Sequence, residues 1–305
     1  MLAVARGLGE GGGVADTGRM RPLALATAIS AFALDEDLAP LRSACAEAGL
    51  DAQVVAWDDP TVAWARFEAV LLRSTWDYID HLPAFLAWCD RVAAATRLLN
   101  PPDVVRWNTD KRYLADLARA GVPVIESRFL APGDDPASLP RYDEFVVKPA
   151  VGAGSRGCRR FTAADRDAAV AHAASLLGAG RHVLVQPYLA AVDDHGETAL
   201  VYFGGEFSHA IRKAPLLRRD GTASTALFAP ERIGARTPSA AEREVAAAAL
   251  AALPSGPLPY ARVDLLPSAD GPRLLELELT EPSLFLAYGP GSAARFVDVL
   301  RRTLP

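Results

Sequence analysis

The stretch FVVKPAVGAGSRGCRRF (residues 145–161) decides the fold. Within it, Gly152, Gly154 and Gly157 spell G-x-G-x-x-G, the pattern of a dinucleotide-binding loop. Such a loop needs a strand before it, a helix directly after it and an acid about 20 residues further on. The strand is present in FVVKP. The helix is not, because GCRRF reads as a second strand and helical periodicity starts only near Thr162. The segment HAASLLG carries no carboxylate, and no Gly-Lys-Ser/Thr follows the glycines, so a P-loop is also excluded. What remains is a glycine-rich turn between two antiparallel strands, with Lys148 just upstream. A turn of this kind can lay backbone N–H groups over phosphates. Read alone, it is equally an ordinary glycine hairpin.

Working outward, the 305 residues are half hydrophobic and about a quarter charged, a globular composition with room for two or three subdomains. The net charge of −5 gives no support for a nucleic-acid surface, and no apolar run is long enough to span a membrane. Cys45, Cys89 and Cys158 are odd in number and far apart, which points to a reducing, cytoplasmic setting without a disulfide framework. The five histidines show no zinc spacing. Residues 1–19 are glycine-rich and aperiodic and are expected to form a disordered tail. Among 32 basic residues only three are lysines, Lys111, Lys148 and Lys213. Lysine is a compact point charge and arginine a planar fork, so the two do not interchange at a tight phosphate site.

Strands and helices alternate over residues 20–105, which predicts an N-terminal parallel α/β domain, with Asp35, Glu36 and Asp37 in the first turn of a helix over 35–49. Residues 106–185 read as a small central subdomain of short strands and helices, 186 onward being distinct. Residues 186–305 read as a C-terminal antiparallel domain with hairpins turning at Gly204-Gly205 and Asp270-Gly271. In LLELELTEP, Glu276 and Glu278 alternate with leucines, so both carboxylates face one side of a strand. The hairpin brings Asp264 opposite Glu276. Three carboxylates on one face repel unless cations lie between them, and hard oxygen donors suit Mg²⁺. The alternative is a solvated face with Arg262 paired to Glu278.

Lys111 at the head of a helix, Lys148 in FVVKP, the glycine flap, VLVQPYL and RVDLL…LLELELTEPS together resemble the ATP-grasp superfamily in order and spacing, over about residues 100–290. The string ELELTEPS is similar to its glutathione-synthetase branch. The resemblance implies an α/β (α+β) fold of three parts: an N-terminal α/β domain, a small lid domain and a C-terminal antiparallel-sheet domain, with ATP between the last two. It implies that Lys111 and Lys148 contact ATP phosphates, that Gly152, Gly154, Ser155, Arg156 and Gly157 cover them, and that Gln186, Pro187, Tyr188 and Leu189 read the adenine. By the same resemblance Asp264, Glu276 and Glu278 hold two Mg²⁺, with Mn²⁺ as a possible substitute. Two departures stand out, since the superfamily usually carries an acid at the position of Gln186 and Asn at that of Glu278.

LLRSTWDYIDHLPAFLAW, NPPDVVRWNTDKRYL and YFGGEFSHAIRKAP are also similar to actinobacterial ATP-grasp ligases that include an O-ureido-serine cyclo-ligase. That resemblance implies a carboxylate-activating enzyme with a small amino-acid substrate and an acyl phosphate intermediate. Arg212 and Lys213 are the candidates for stabilising charge at the reacting carbonyl. The segment GTAST (221–225) is expected to close over the intermediate. RSTWDY lies at the C-terminal end of a parallel strand, where ligands of α/β folds gather. There Arg73 is expected to bind a carboxylate and Asp77 an ammonium, with Ser74, Glu281 and Ser283 completing the substrate site and Trp76 and Tyr78 packing. An intermolecular carboxylate–amine ligase and a nucleotide-binding protein without turnover are the competing readings. The oligomeric state is open, with a homo-oligomer possible.

Overall fold

The computed structural model describes residues 22–215, 217 and 232–304; the expected tail 1–19 and GTAST lie outside the described residues. β1 (Leu23–Thr27), α1 (Leu38–Glu47), β2 (Ala52–Ala56), β3 (Ala69–Ser74), α2 (Tyr78–Ala95) and β4 (Arg97–Leu99) build a parallel sheet in the order β2-β1-β3-β4. The sequences LALAT and AVLLRS are buried at every residue, as central parallel strands covered on both faces must be. Asp35, Glu36 and Asp37 precede α1 and do not form its first turn. Asp35 Oδ1 accepts the Asp37 N–H at 2.9 Å, while the Asp37 carboxylate is taken by backbone amides of residues 284–286. Those tertiary bonds hold the acids outside the helix.

α3 (Pro102–Asn108) and α4 (Tyr113–Arg119) follow. The lid sheet contains β5 (Arg128–Leu130), β6 (Glu144–Pro149), β7 (Arg159–Thr162) and β8 (Val183–Pro187), in the order β5-β8-β6-β7, with α5 (Arg166–Gly178) packed on it. β6 and β7 pair antiparallel across the glycine turn, and no helix starts at Gly157. After the short α6 (Val192–His195), β9 (Glu197–Phe203), β10 (Glu206–Lys213) and β11 (Ile233–Arg236) lead through α7 (Ala240–Ala251) to β12 (Tyr260–Leu266) and β13 (Arg273–Glu278). These strands form an antiparallel sheet in the order β11-β10-β9-β12-β13. Both hairpins turn where Gly204-Gly205 and Asp270-Gly271 stand; Gly204 and Gly205 both have positive φ, which a tight hairpin turn requires.

The chain divides differently from the sequence boundaries at two points. α3 and α4 pack Val104, Tyr113, Leu114 and Leu117 into the core of the C-terminal sheet, not into the lid. The reason is the open edge of β13. Asn108 donates to the Leu277 carbonyl at 2.7 Å and accepts the Leu279 N–H at 2.8 Å, while the Tyr113 hydroxyl bonds both Leu277 backbone groups. A sheet edge is thereby capped by side chains. The lid sheet also extends through Pro187, past residue 185. Finally α8 (Ser292–Thr303) returns to the N-terminal unit, burying Phe296, Val297 and Leu300 in one core with Leu25 and Leu41 of that unit and Phe203 and Tyr260 of the C-terminal sheet.

Candidate active site

The three units meet at a cleft of about 570 Å³, within the usual range of roughly 300–1,000 Å³ for small-molecule sites. Its floor is one face of the C-terminal sheet. Strand alternation places Lys213 on β10, Glu197 on β9, Arg262 and Asp264 on β12, and Glu276 and Glu278 on β13 together on this face. The intervening residues Leu200, Val263 and Leu277 fill the core beneath. Asp264 stands directly opposite Glu276 and Arg262 opposite Glu278, with a register shift immediately after Asp264.

The charges on this floor are matched by side chains. Lys213 Nζ lies 2.6 Å from Glu197 and 2.9 Å from Asp264. Arg262 grips Asp264 with two bonds of 2.8 Å and also pairs with Glu278. Lys111 Nζ lies 2.8 Å from Glu276 and donates to the Gly152 carbonyl at 2.7 Å. So the cations between the carboxylates are, in this state, arginine and lysine. Among the described residues no His, Cys, Asp and Glu group of three or more is arranged as a metal cluster.

Protonation follows from the pairing. Burial pushes Asp264 up, yet Arg262 and Lys213 outweigh it and hold the carboxyl well below its ordinary range. Burial raises Glu197 against the pull of Lys213, and raises Glu278 against Arg262. Burial lowers Lys111, but Glu276 more than compensates and its pKa ends above normal. Lys148 differs. It is 7% exposed, burial lowers its pKa, and among the described residues no carboxylate forms an ion pair with it. A buried ammonium without a carboxylate is a cation held ready for an anionic ligand.

Most residues expected in the site do line the cleft: Lys111, Lys148, Gly152, Gly154, Ser155 and Arg156 on one side, Gln186, Pro187, Tyr188 and Leu189 at and after the end of β8, and Lys213, Asp264, Glu276, Glu278, Glu281 and Ser283 across the floor. The Gln186 side chain is occupied by Ser127, to which it donates at 2.9 Å. Arg156 reaches out of the flap to Asp80 of α2 in a bidentate pair at 2.7 and 2.8 Å. Gly157 does not line the cleft; it packs beneath the flap, its carbonyl 2.9 Å from the His172 ring nitrogen. Ile125, Leu266 and Val192 form an apolar cluster with Tyr188, Leu189 and Leu275 just past β8.

Besides Gly157, four residues expected in the site do not reach the cleft. Arg212 faces the opposite side of β10 from Lys213, because neighbours on a strand alternate, and donates to the Asp194 carbonyl at 2.8 Å. Arg73 is fully buried, 3.5 Å from Asp37 and 3.9 Å from Asp35, and donates to the Pro282 carbonyl at 3.2 Å. Ser74 bonds Thr27 at 2.8 Å, and Asp77 accepts the Trp57 indole N–H at 2.8 Å. Conversely, Arg262, Glu197, Asp35, Asp37, Tyr78 and Phe285 line the cleft without having been chosen as site residues. Arg262 was detectable, since Arg262 and Asp264 stand two apart on one strand. Trp76 and Tyr78 do more than pack: Trp76 donates to the Glu281 carbonyl at 3.0 Å, and both border the cleft.

Three units around a cleft, an antiparallel floor of alternating acids and cations, and a glycine flap after a buried lysine define an ATP-grasp ligase. The comparisons agree. A family model described as "D-cycloserine synthetase DcsG, N-terminal domain" matches residues 23–100. The cycloserine biosynthesis protein DcsG of Streptomyces lavendulae is 45% identical over 296 residues, covering 92% of this chain and 98% of that protein. The crystal structure of D-cycloserine synthetase DcsG superposes with a TM-score of 0.87 at 44% identity, over 93% of this chain and 99% of that one. An ATP-grasp ligase, PsnB, complexed with its minimal precursor, superposes with a TM-score of 0.63 at 21% identity, over 93% and 99% of the two chains, a likeness of fold alone. The chain belongs to the D-cycloserine synthetase DcsG family. No described helix is long and apolar enough to cross a membrane.

Proposed function

We propose that the enzyme uses ATP to activate the carboxylate of O-ureido-serine and closes the activated molecule on itself to cycloserine, in the D form by likeness to its relatives. The observation that carries this reading is the 45% identity to DcsG over nearly the whole of both chains. The cleft supports it chemically. Lys148 and Lys111 face the phosphates, with the flap's backbone above them. The apolar cluster of Ile125, Leu266 and Leu275 beside Gln186–Leu189 offers the adenine a slot.

Glu276 and Glu278 fit Mg²⁺ by donor chemistry: hard carboxylates, two apart on one strand face, their side chains 24% and 28% exposed. Asp264 would join them while keeping its bonds to Arg262 and Lys213. Two ions, or Mn²⁺ in their place, are part of this proposal. When bound, Mg²⁺ neutralises charge on the transferring phosphoryl group.

A carboxylate oxygen of the substrate attacks the γ-phosphorus, the bond to the ADP oxygen breaks, and an acyl phosphate forms. Arg262 and Lys213, fixed by Asp264, face the negative charge that develops on the phosphoryl and carbonyl oxygens; Arg262 takes the part expected of Arg212. The ureido nitrogen bonded to oxygen then attacks the carbonyl carbon and gives up its proton, the C–O bond to phosphate breaks and a five-membered ring closes; water then cleaves the bond from that nitrogen to the carbamoyl carbon, returning a proton to the nitrogen and releasing carbamate. Holding the substrate folded makes this attack intramolecular, and effective molarities reach about 10⁵–10⁸ M in well-oriented cases. Glu281 and Ser283 line the substrate end. Carboxylate activation is tested with ¹⁸O in the substrate carboxyl: the label should appear in inorganic phosphate, and unlabelled phosphate would refute an acyl phosphate.

A further inference from the structure

The segment from Glu281 to Leu286 joins the active-site floor to the N-terminal unit. Trp76 donates to the Glu281 carbonyl at 3.0 Å and Arg73 to the Pro282 carbonyl at 3.2 Å. Asp37 accepts the N–H groups of Leu284, Phe285 and Leu286 at 2.6, 3.1 and 2.8 Å. From the other side, His209 Nε2 lies 2.9 Å from the Leu284 carbonyl. This density of anchors holds Phe285 at φ +51°, in the left-handed region that a residue with a bulky side chain rarely adopts. Strain of this kind persists only where the surroundings over-determine it, and it gathers at functional sites.

The consequence of that backbone angle is where the ring goes. The Phe285 centroid lies 5.3 Å from the Arg262 guanidinium carbon and 5.9 Å from Lys213 Nζ. The preceding Ser283 carbonyl accepts Arg262 Nη1 at 3.0 Å. The in-plane donors of Arg262 are therefore set by Asp264, Glu278 and Ser283, while the aromatic face covers both cations without offering a carboxylate.

We infer that Phe285, held by Asp37, is a positioning residue for the Arg262–Lys213 cation pair. The inference rests on the reading of those two cations as the reacting ones. It also gives Asp37 and Arg73 a purpose: they carry the geometry of the N-terminal unit to the chemistry on the sheet.

The test uses the full-length enzyme with ATP, Mg²⁺ and O-ureido-serine. Phe285→Leu keeps apolar volume and removes the aromatic face. It should lower kcat about tenfold, the size of a desolvated cation–π contact, while the KM for ATP stays within about twofold. ATP affinity by calorimetry and the melting temperature should stay near wild type. Phe285→Tyr should restore turnover, and Asp37→Asn should reproduce the kcat defect. Wild-type turnover in Phe285→Leu overturns the inference. So does a loss that tracks falling stability and ATP affinity and that Phe285→Tyr fails to rescue. Arg262→Lys is the separate control: full turnover there would refute the reading of Arg262 itself, whereas an inactive Arg262→Lys beside a normal Phe285→Leu refutes only the positioning role.

Discussion

Two buried ionisable residues in the cleft make opposite predictions about stability. Lys148 is a buried ammonium whose pKa burial lowers, so in the ligand-free protein its charge opposes folding. Lys148→Met should leave the free enzyme at least as stable as wild type in thermal melts. If Lys148 meets the phosphates as proposed, the same change removes a charge-assisted contact worth about 1.5–3 kcal/mol, roughly 10–150-fold in ATP affinity by calorimetry. A variant that is less stable yet binds ATP normally would contradict this assignment. Glu281 is a carboxyl that burial pushes up to about 8, with Glu278 adding to the shift. Between its unfolded pKa, near 4.5, and about 8, the native state holds a proton the unfolded chain has released. Stability contributed by this group is thus full below the unfolded value and lost as pH rises through the window, on the order of a few kcal/mol. Denaturant melts at pH 5 and pH 8 should show a smaller loss of stability in Glu281→Gln than in wild type; equal losses would contradict it. At this scale much of the site was legible. Lys111, Lys148 and Lys213 stood out because arginine fills nearly every other basic position. Arg73 was misread because its partners, Asp35, Asp37 and Pro282, come from distant parts of the chain and leave it no exposed surface.

At the scale of the element, strand alternation explains both the successes and the miss. The LLELEL pattern and the Asp270-Gly271 turn fixed the register that sets Asp264 against Glu276. The same period-two rule separates Arg212 from Lys213, and passing it over put both in the site. Lys213→Ala strips the partner of Glu197 and Asp264 and one of the two cations proposed to face the reacting groups; ADP release should fall about 100-fold or more. Arg212→Ala, on the other face, should stay within a few-fold of wild type, its bonds to α6 being exposed. Equal losses in the two variants would show that the faces are not distinct in function. The glycine flap was legible for a related reason: CRRF continues a strand where a dinucleotide loop needs a helix, and β6 and β7 pair accordingly.

Across the whole molecule, the three-part architecture was readable from alternating elements and hairpin signals, but the packing partners of the helices were not. α3 and α4 follow the N-terminal unit in sequence and cap β13 in space, through bonds from Asn108 and Tyr113 to Leu277 and Leu279. No periodicity in a helix announces which sheet edge it will cover. The Asp37 carboxylate similarly bridges about 250 residues of sequence to fix the segment beside Arg262. The arrangement proposed above activates one molecule and closes it on itself. Its most direct test is to incubate the full-length enzyme with ATP, Mg²⁺ and O-ureido-serine alone and to follow ADP and product mass together. One cycloserine ring should form for each ADP released, with no added amine. ADP release that waits for a second amine, with a product mass equal to the two substrates less water, would contradict intramolecular closure.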